Sequence, residues 1–379
     1  MRILIAGLTT RALAESAVRT GAAIVTVDYF GDLDQTRLCE THSLRELGRG
    51  YSAAAILEAA RELDYEAVVY CGGLENHPGV VAELARDRML LGNTPDALRR
   101  VRDPGALLSF LAQHGFAVPD TRGEADPLPV AGRWLLKPAR GGGGQGVRHW
   151  DGQPPVATQI LQELVPGVSA SAAFVADGHR SALLAWTAQL HTPRGFRYAG
   201  NIMPLDGPAA ARQEVAGIAD ALTREYGLRG LNGVDFILRE DRPVVLEVNP
   251  RYCASMELVE RASGASVFGF HVAACQGQLP ARVEEPAGVW GKAIVYATRT
   301  VAAPDTTAWL GEGVRDVPHP GEVIRAGHPI CTVLASAATR AGCEALLRSE
   351  AARIRAACAL VDAPDSGEPD SGKAEKDDA

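Results

Sequence analysis

Two stretches of the chain carry side chains whose types and spacing could handle phosphate and metal. The first is Leu135-Leu136-Lys137-Pro138-Ala139-Arg140, followed by Gly141, Gly142, Gly143, Gly144, Gln145 and Gly146. Glycine accepts positive φ and lets backbone N–H groups approach a ligand closely, as a clamp on a triphosphate requires. Lys137 would add a point charge for phosphate oxygens. The lysine precedes the glycines, whereas in a Walker A loop it follows them. Taken alone, the run also reads as a flexible surface loop.

The second stretch is Gly233-Val234-Asp235-Phe236-Ile237-Leu238 with Arg242 to Arg251, whose core is Val244-Val245-Leu246-Glu247-Val248-Asn249-Pro250. Two strands joined by a polar turn at 239–242 predict a hairpin. Strand alternation puts Glu247 and Asn249 on one face, and Asp235 can meet them from the neighbouring strand. Two carboxylates and an amide oxygen make an oxygen-only site suited to a magnesium ion that bridges phosphates. A charge inside so apolar a strand is costly to bury unless paired or metal-bound, which disfavours an ordinary solvent-facing residue.

The elements that must position these groups follow from periodicity. Ile3 to Ala6, Ile24 to Val27 and Ala67 to Tyr70 read as short buried strands, with helices at Thr10 to Arg19 and Ser52 to Leu63 between them. That alternation predicts a parallel α/β sheet over residues 1–98. Residues 104–115 read as a helix, and Pro119 to Pro129 as a linker. Strands are expected at Trp134 to Lys137 and near 147–150, 172–176, 182–189, 234–238 and 243–248. A helix over about 210–227 presents Val215, Ile218, Ala219, Leu222 and Tyr226 on one face. This second unit, 99–285, is α+β, with an inner part at about 126–190. Residues 286–362 read as a small β-rich unit with a closing helix at 340–358. The Asp-, Ser-, Gly-, Glu- and Lys-rich stretch from Ala363 to 379 is expected to be disordered. No internal repeat is found.

Composition narrows the function classes. The 379 residues suit two or three packed units, and 46% hydrophobic with 22% charged residues is ordinary for globular domains. A net charge of −8 argues against nucleic-acid or anionic-membrane partners while allowing a local basic pocket. No stretch is long and apolar enough to span a bilayer, and the first apolar run stops at Gly7. Seven scattered cysteines without a CxxC pair fit a reducing cytoplasm, not a disulfide framework or a zinc site.

Together, the glycine loop and the acidic hairpin about 100 residues later resemble the ATP-grasp superfamily over roughly residues 100–280, and Glu247-Val248-Asn249-Pro250-Arg251 is the specific part. The resemblance implies an ATP-grasp fold with the first unit as its pre-ATP-grasp domain. It implies ATP and Mg2+ (or Mn2+), with Glu247 bridging two metals and Asp235 and Asn249 each completing a site. Arg251 would stabilise an acyl-phosphate and the transferring phosphoryl group. Lys137 would contact ATP phosphates beneath a flap formed by Gly141, Gly142, Gly143, Gly144 and Gly146. Gln162, Glu163 and Val165 would form the hinge where backbone groups read adenine. In two places the chain departs from the pattern. The lysine expected before the helix at 104–115 is replaced by Arg102-Asp103-Pro104, so that Arg100 or Arg102 would supply its charge. Ser169 stands where an acidic ribose contact is usual.

The implied activity is an ATP-dependent carboxylate–amine ligase giving ADP and phosphate. The hinge, the Gly200 to Pro204 segment and the final sheet look more like amide-forming and carboxylase-like relatives than D-alanine ligases, and no biotin-attachment sequence occurs. Assembly of a C1-carrier cofactor is the pathway this similarity suggests, with small carboxylate and amine substrates and a homodimer left open. Glu75 and Asn76, after the third strand, and Arg299, near an expected strand over Ala293 to Thr298, are candidate substrate contacts, as are His191, Arg194 and Arg197 around Gly195. Each also reads as a solvated residue.

Two other classes fit parts of the pattern. A nicotinamide-dependent oxidoreductase would use Gly7 and Asp28, but one glycine stands where the dinucleotide fingerprint wants three. A catalytically inactive nucleotide-binding module is disfavoured by the complete Asp235, Glu247, Asn249 and Arg251 set.

Overall fold

The short apolar runs at the start of the chain assemble as their pattern demands. In the computed structural model, which describes residues 1–193, 195–281, 287–311 and 313–360, they form a five-stranded parallel sheet. Its strands are β1 (Arg2–Ala6), β2 (Ala23–Asp28), β3 (Glu40–Ser43), β4 (Ala67–Tyr70) and β5 (Met89–Leu90), in the order β3-β2-β1-β4-β5. Strands β1, β2 and β4 are buried almost throughout, as expected for a sheet covered on both faces. The polar Glu40-Thr41-His42-Ser43 gives no apolar signal and lies at an edge, and β5 has two residues, so neither was predicted.

A small antiparallel sheet follows, with strands β6 (Thr121–Arg122), β7 (Trp134–Pro138), β8 (Arg148–His149) and β9 (Gln159–Glu163) in the order β6-β9-β7-β8. The glycine run is the connection between β7 and β8. Of the stretch expected as an inner part at about 126–190, β7 to β9 belong to this sheet together with the earlier β6, and the residues after 167 enter another sheet.

That larger sheet comprises β10 (Val168–Asp177), β11 (Ser181–His191), β12 (Tyr198–Met203), β13 (Arg229–Arg239), β14 (Arg242–Asn249) and β15 (Val289–Tyr296). After the short β16 (Val301–Ala302), β17 (Val314–Arg315) and β18 (Val323–Ile324) come β19 (Pro329–Ala337) and β20 (Ala359–Leu360). The sheet order is β14-β13-β10-β11-β12-β15-β19-β17, while β18-β16-β20 form a separate small sheet. The β-rich stretch expected over 286–362 joins this sheet through β15, which pairs with β12 from Gly200↔Ala293 to Met203↔Trp290. The open edge of β12 is covered by the chain's own later strands, which removes an unpaired row of backbone groups.

The helix Ala209–Tyr226 lies against this sheet through Ala211, Val215, Ile218, Ala219 and Leu222, in one core with Phe174, Trp186 and Phe236. A second core runs between units, packing Ile3, Ile5 and Leu13 with Val175, Met256 and Phe268. The closing helix is Arg340–Ala357. Arg194 and the stretch from Ala363, both singled out from the sequence, lie outside the described residues. Among the described residues no helix is long and apolar enough to cross a membrane.

Candidate active site

The acidic hairpin forms with Asp235 opposite Glu247 and Gly233 opposite Asn249. The pairing then slips, so that Phe236 faces Val245 and Leu246 is the extra residue. Such a bulge bends its strand and re-aims neighbouring side chains. Glu247 and the bulged Leu246 are half-buried, while Pro243 to Val245, Val248 and Asn249 are buried. Gly233 is required at its position, because a Cβ there would stand 2.5 Å from Cys253 Sγ.

A chain of hydrogen bonds ties this hairpin to its surroundings. Ser169 Oγ donates to Gln189 Oε1 at 2.8 Å, and Gln189 Nε2 donates to Asp235 Oδ1 at 2.9 Å. Asn249 Nδ2 donates to the other oxygen, Asp235 Oδ2, at 2.9 Å. Arg251 Nη2 donates to Asn249 Oδ1 at 2.9 Å, and Arg251 Nε donates to Glu75 Oε1 at 2.9 Å. Burial, then the charge of Glu247, raises the Asp235 carboxyl to about 7, and Arg251, the Asn249 amide and Lys137 offset this only in part. A carboxylate pair short of positive charge is the electrostatic condition that a divalent cation relieves, and two carboxylates with an amide oxygen are hard donors. Among the described residues no three His, Cys, Asp or Glu side chains form a metal-holding group, so these donors stand without a third such residue.

Lys137 Nζ donates to Gln162 Oε1 at 2.9 Å across the β7–β9 pair. Gln162 is 2% exposed and acts as the lysine's support, its amide reaching on to Thr121. The Glu163 N–H is taken by Asp120 O at 2.8 Å, and Val165 is buried beside it. Glu163 therefore keeps no free N–H for a ligand. Ser169 faces Gln189, a residue that sequence reasoning passed over. Its only signal was one amide in the apolar run Ala182 to Leu190.

Of Arg100 and Arg102, which stand where a lysine was expected, Arg102 is the buried one. It is 7% exposed and donates to Asn76 Oδ1 through Nε, to Val248 O through Nη1 and to Gly141 O through Nη2, at 2.9, 2.9 and 2.8 Å. One guanidinium thus joins the acidic strand to the glycine loop. Arg100 does not share that role, since it pairs with Glu225 at 2.6 Å on the surface.

The glycine loop lies against the segment after β11. Tyr198 N donates to Gly143 O at 2.9 Å, and the His149 and Phe196 rings meet edge to face at 5.3 Å. Gly144 has φ +69°, and a Cβ there would stand 1.9 Å from Phe196 O.

Among the substrate candidates, Glu75 is 2% exposed and held by Arg251, so the solvated reading fails for it. Burial works to raise its carboxyl, but the charges of Arg251 and Arg102 hold it below the ordinary range. Asn76 serves Arg102. Arg299 is exposed and lies past the end of β15 at Tyr296, so the expected strand ended too late. His191 is exposed, and the Arg197 guanidinium stacks 4.1 Å over the Tyr296 ring, away from the acidic pair.

The residues proposed for a dinucleotide are otherwise engaged. Asp28 is fully buried and accepts from Thr10 N at 3.1 Å, Thr10 Oγ1 at 2.8 Å and Gly31 N at 2.9 Å. Gly7 is needed where β1 and β4 converge, since a Cβ would stand 2.7 Å from Cys71 Cβ.

Residues 102–255 match a family model described as an ATP-grasp domain. The whole chain is similar to the uncharacterized protein MJ0776 of Methanocaldococcus jannaschii, with 22% identity over 358 residues, covering 88% of each. Among solved structures it superposes on an L-amino acid ligase from Bacillus licheniformis with a TM-score of 0.70 and 16% identity, over 93% of this chain and 97% of that one. It also superposes on a Rhizobium etli pyruvate carboxylase with a TM-score of 0.73 and 16% identity, over 92% of this chain. The chain spans only 36% of that carboxylase's length.

Proposed function

The chain carries an ATP-grasp domain, and from that premise we propose that it is an ATP-dependent carboxylate–amine ligase that forms an amide through an acyl-phosphate. The observation that carries the reading is the joining of Asp235, Glu247, Asn249 and Arg251 with Lys137 and the glycine loop around one polar spot. Asp235, Glu247 and Asn249 would hold Mg2+ (or Mn2+), which when bound neutralises phosphate charge. Lys137, kept in place by Gln162, would meet phosphate oxygens. The loop from Gly141 to Gly146, tethered by Arg102 and Tyr198, would cover them and exclude water. Gln162, Glu163 and Val165 remain the proposed adenine hinge, and because the Glu163 N–H is used, its contribution would come through the carbonyl. Ser169 would act on the site through Gln189 and Asp235.

The chemistry follows from what is present. No Ser/His/Asp or Cys/His arrangement was found in the sequence, and burial raises the thiol beside Arg251, Cys253, to about 12, so it is a poor nucleophile. Activation then falls to the substrate: its carboxylate attacks the γ-phosphorus, ADP leaves, and the amine displaces phosphate from the acyl-phosphate. Arg251 faces the transferring group and stabilises its charge. Assembly of a C1-carrier cofactor is the pathway proposed for this reaction.

A panel of small carboxylic acids incubated with Mg-ATP, the full chain and hydroxylamine tests the reading. The expected products are a hydroxamate and ADP in equal amounts. Release of AMP and pyrophosphate would replace the acyl-phosphate with an adenylate.

A further inference from the structure

An unsatisfied carboxylate oxygen lies beneath the C-terminal ends of the parallel strands. Glu75 follows β4, and its Oε1 accepts from Arg251 while its Oε2 is shut off from water with no hydrogen-bond partner among the described residues. The Tyr51 hydroxyl is in the same condition. The two belong to one spot. A Cβ on Gly73 would stand 1.9 Å from the Tyr51 hydroxyl, and one on Gly72 would stand 3.6 Å from Arg251 Nε. Burial, then the negative charge of Glu75, pushes the phenol up, so it stays protonated. A buried acceptor left unpaired costs about 1–3 kcal/mol, more when charged, and native proteins rarely keep one without a use.

We propose that Glu75 Oε2 and Tyr51 are the receptor for the amine substrate, taken up as a primary ammonium, an inference that rests on the ligase reading above. An ionised carboxylate oxygen calls for an N–H donor, and an ammonium supplies three. One would go to Glu75 and one to the Tyr51 oxygen, with the phenol ring adding a cation–π surface. This spot lies where parallel sheets bind ligands, and it shares Arg251 with the proposed phosphoryl site. The amine held on Glu75 would therefore stand beside the acyl-phosphate, and it would attack only after the ammonium has passed one proton to a phosphate oxygen or to solvent, which frees its electron pair. The charges set the order of binding. Without nucleotide, Arg251 and Arg102 already balance Glu75. A phosphoryl anion drawn to Arg251 leaves the carboxylate in excess, so the ammonium binds after it. Tyr51 ends an exposed stretch, residues 46–50, whose displacement would open the pocket.

The competing role for Glu75 is to hold Arg251 and nothing more, and Tyr51→Phe separates the two because it leaves that ion pair intact. Saturation-transfer NMR on the full chain with Mg-AMP-PNP would follow ethylammonium, with ethanol as the uncharged control of similar shape. Expected are binding of ethylammonium over ethanol, weakening by about tenfold or more in Glu75→Gln and by about threefold in Tyr51→Phe, and weaker binding when AMP-PNP is omitted. The inference is overturned by a wild type that does not prefer ethylammonium, or by a Tyr51→Phe protein with unchanged ethylammonium affinity. Ethylammonium binding that follows Glu75, with no hydroxamate from any acid, would sink the ligase reading and leave the pocket standing. Hydroxamate without ethylammonium binding would do the reverse.

Discussion

Glu247 shows how much one side chain can carry when its strand is distorted to aim it. The bulge at Leu246 turns it toward Asp235, whose carboxyl is already raised by burial and by the Glu247 charge. Glu247→Gln keeps the shape and removes one of the two charges that a metal would neutralise. The expected result is a fall in ADP formation of about 100-fold or more, on the scale of losing one preorganised electrostatic contact. Metal-free nucleotide binding, followed by fluorescence titration, should change by less than about threefold, since the adenine end does not involve this residue. Near-normal turnover at ordinary Mg2+ concentration would remove Glu247 from the site. Arg102 carries a comparable burden. Its three hydrogen bonds offset the cost of burying a guanidinium and tie the acidic strand to the glycine loop.

At the scale of elements, the glycine loop is held at its start and in its middle, where a side chain would not fit. Arg102 holds Gly141, Tyr198 holds Gly143, and Gly144 passes so close to Phe196 that no Cβ fits. Gly144→Ala should therefore push the loop off the segment at 195–198 while leaving the hydrophobic cores untouched. A loss of about tenfold or more in kcat/KM for ATP is expected, with an unfolding midpoint close to that of the parent. Steady-state kinetics beside urea unfolding would check both halves. A large loss of stability with normal kinetics would show that the loop is structural only.

The whole molecule is held together by a buried ion network centred on Arg11 and Glu257. Arg11 is 1% exposed and meets Glu257 at 2.6 Å, Asp316 at 2.8 Å and Glu15 at 3.0 Å, while Lys292 meets Glu257 at 2.6 Å. These residues come from the parallel-sheet unit, the helix Met256–Ser263, and β15 with the turn after β17, so the network locks all three together. Burial alone would raise the Glu257 carboxyl, but Arg11 and Lys292 hold it well below the ordinary range. Glu257→Gln should cost about 3–5 kcal/mol, the usual result of leaving buried partner charges uncompensated. A depressed carboxyl stabilises the fold above its unfolded value of about 4 and loses that contribution as pH falls through the folded value. The difference between wild type and variant in urea unfolding should thus be full at neutral pH and shrink in acid. A pH-independent difference would assign the effect to packing.

The sequence by itself determined the parallel strands at 3–6, 24–27 and 67–70, the helix after Pro208 and the acidic hairpin, because each rests on local periodicity. It also pointed to Asp235, Glu247 and Asn249, since a charge in an apolar strand demands a reason within that strand. Only the tertiary structure decided what those residues face. Gln189, Glu75 and Tyr51 lie on different strands and loops, and no spacing along the chain predicts that Glu75 meets Arg251. That Arg102 reaches the glycine loop while Arg100 pairs with Glu225 likewise depends on contacts distant in sequence. That β15 pairs with β12 was also not legible along the chain, because an open sheet edge is filled by whichever strand can reach it.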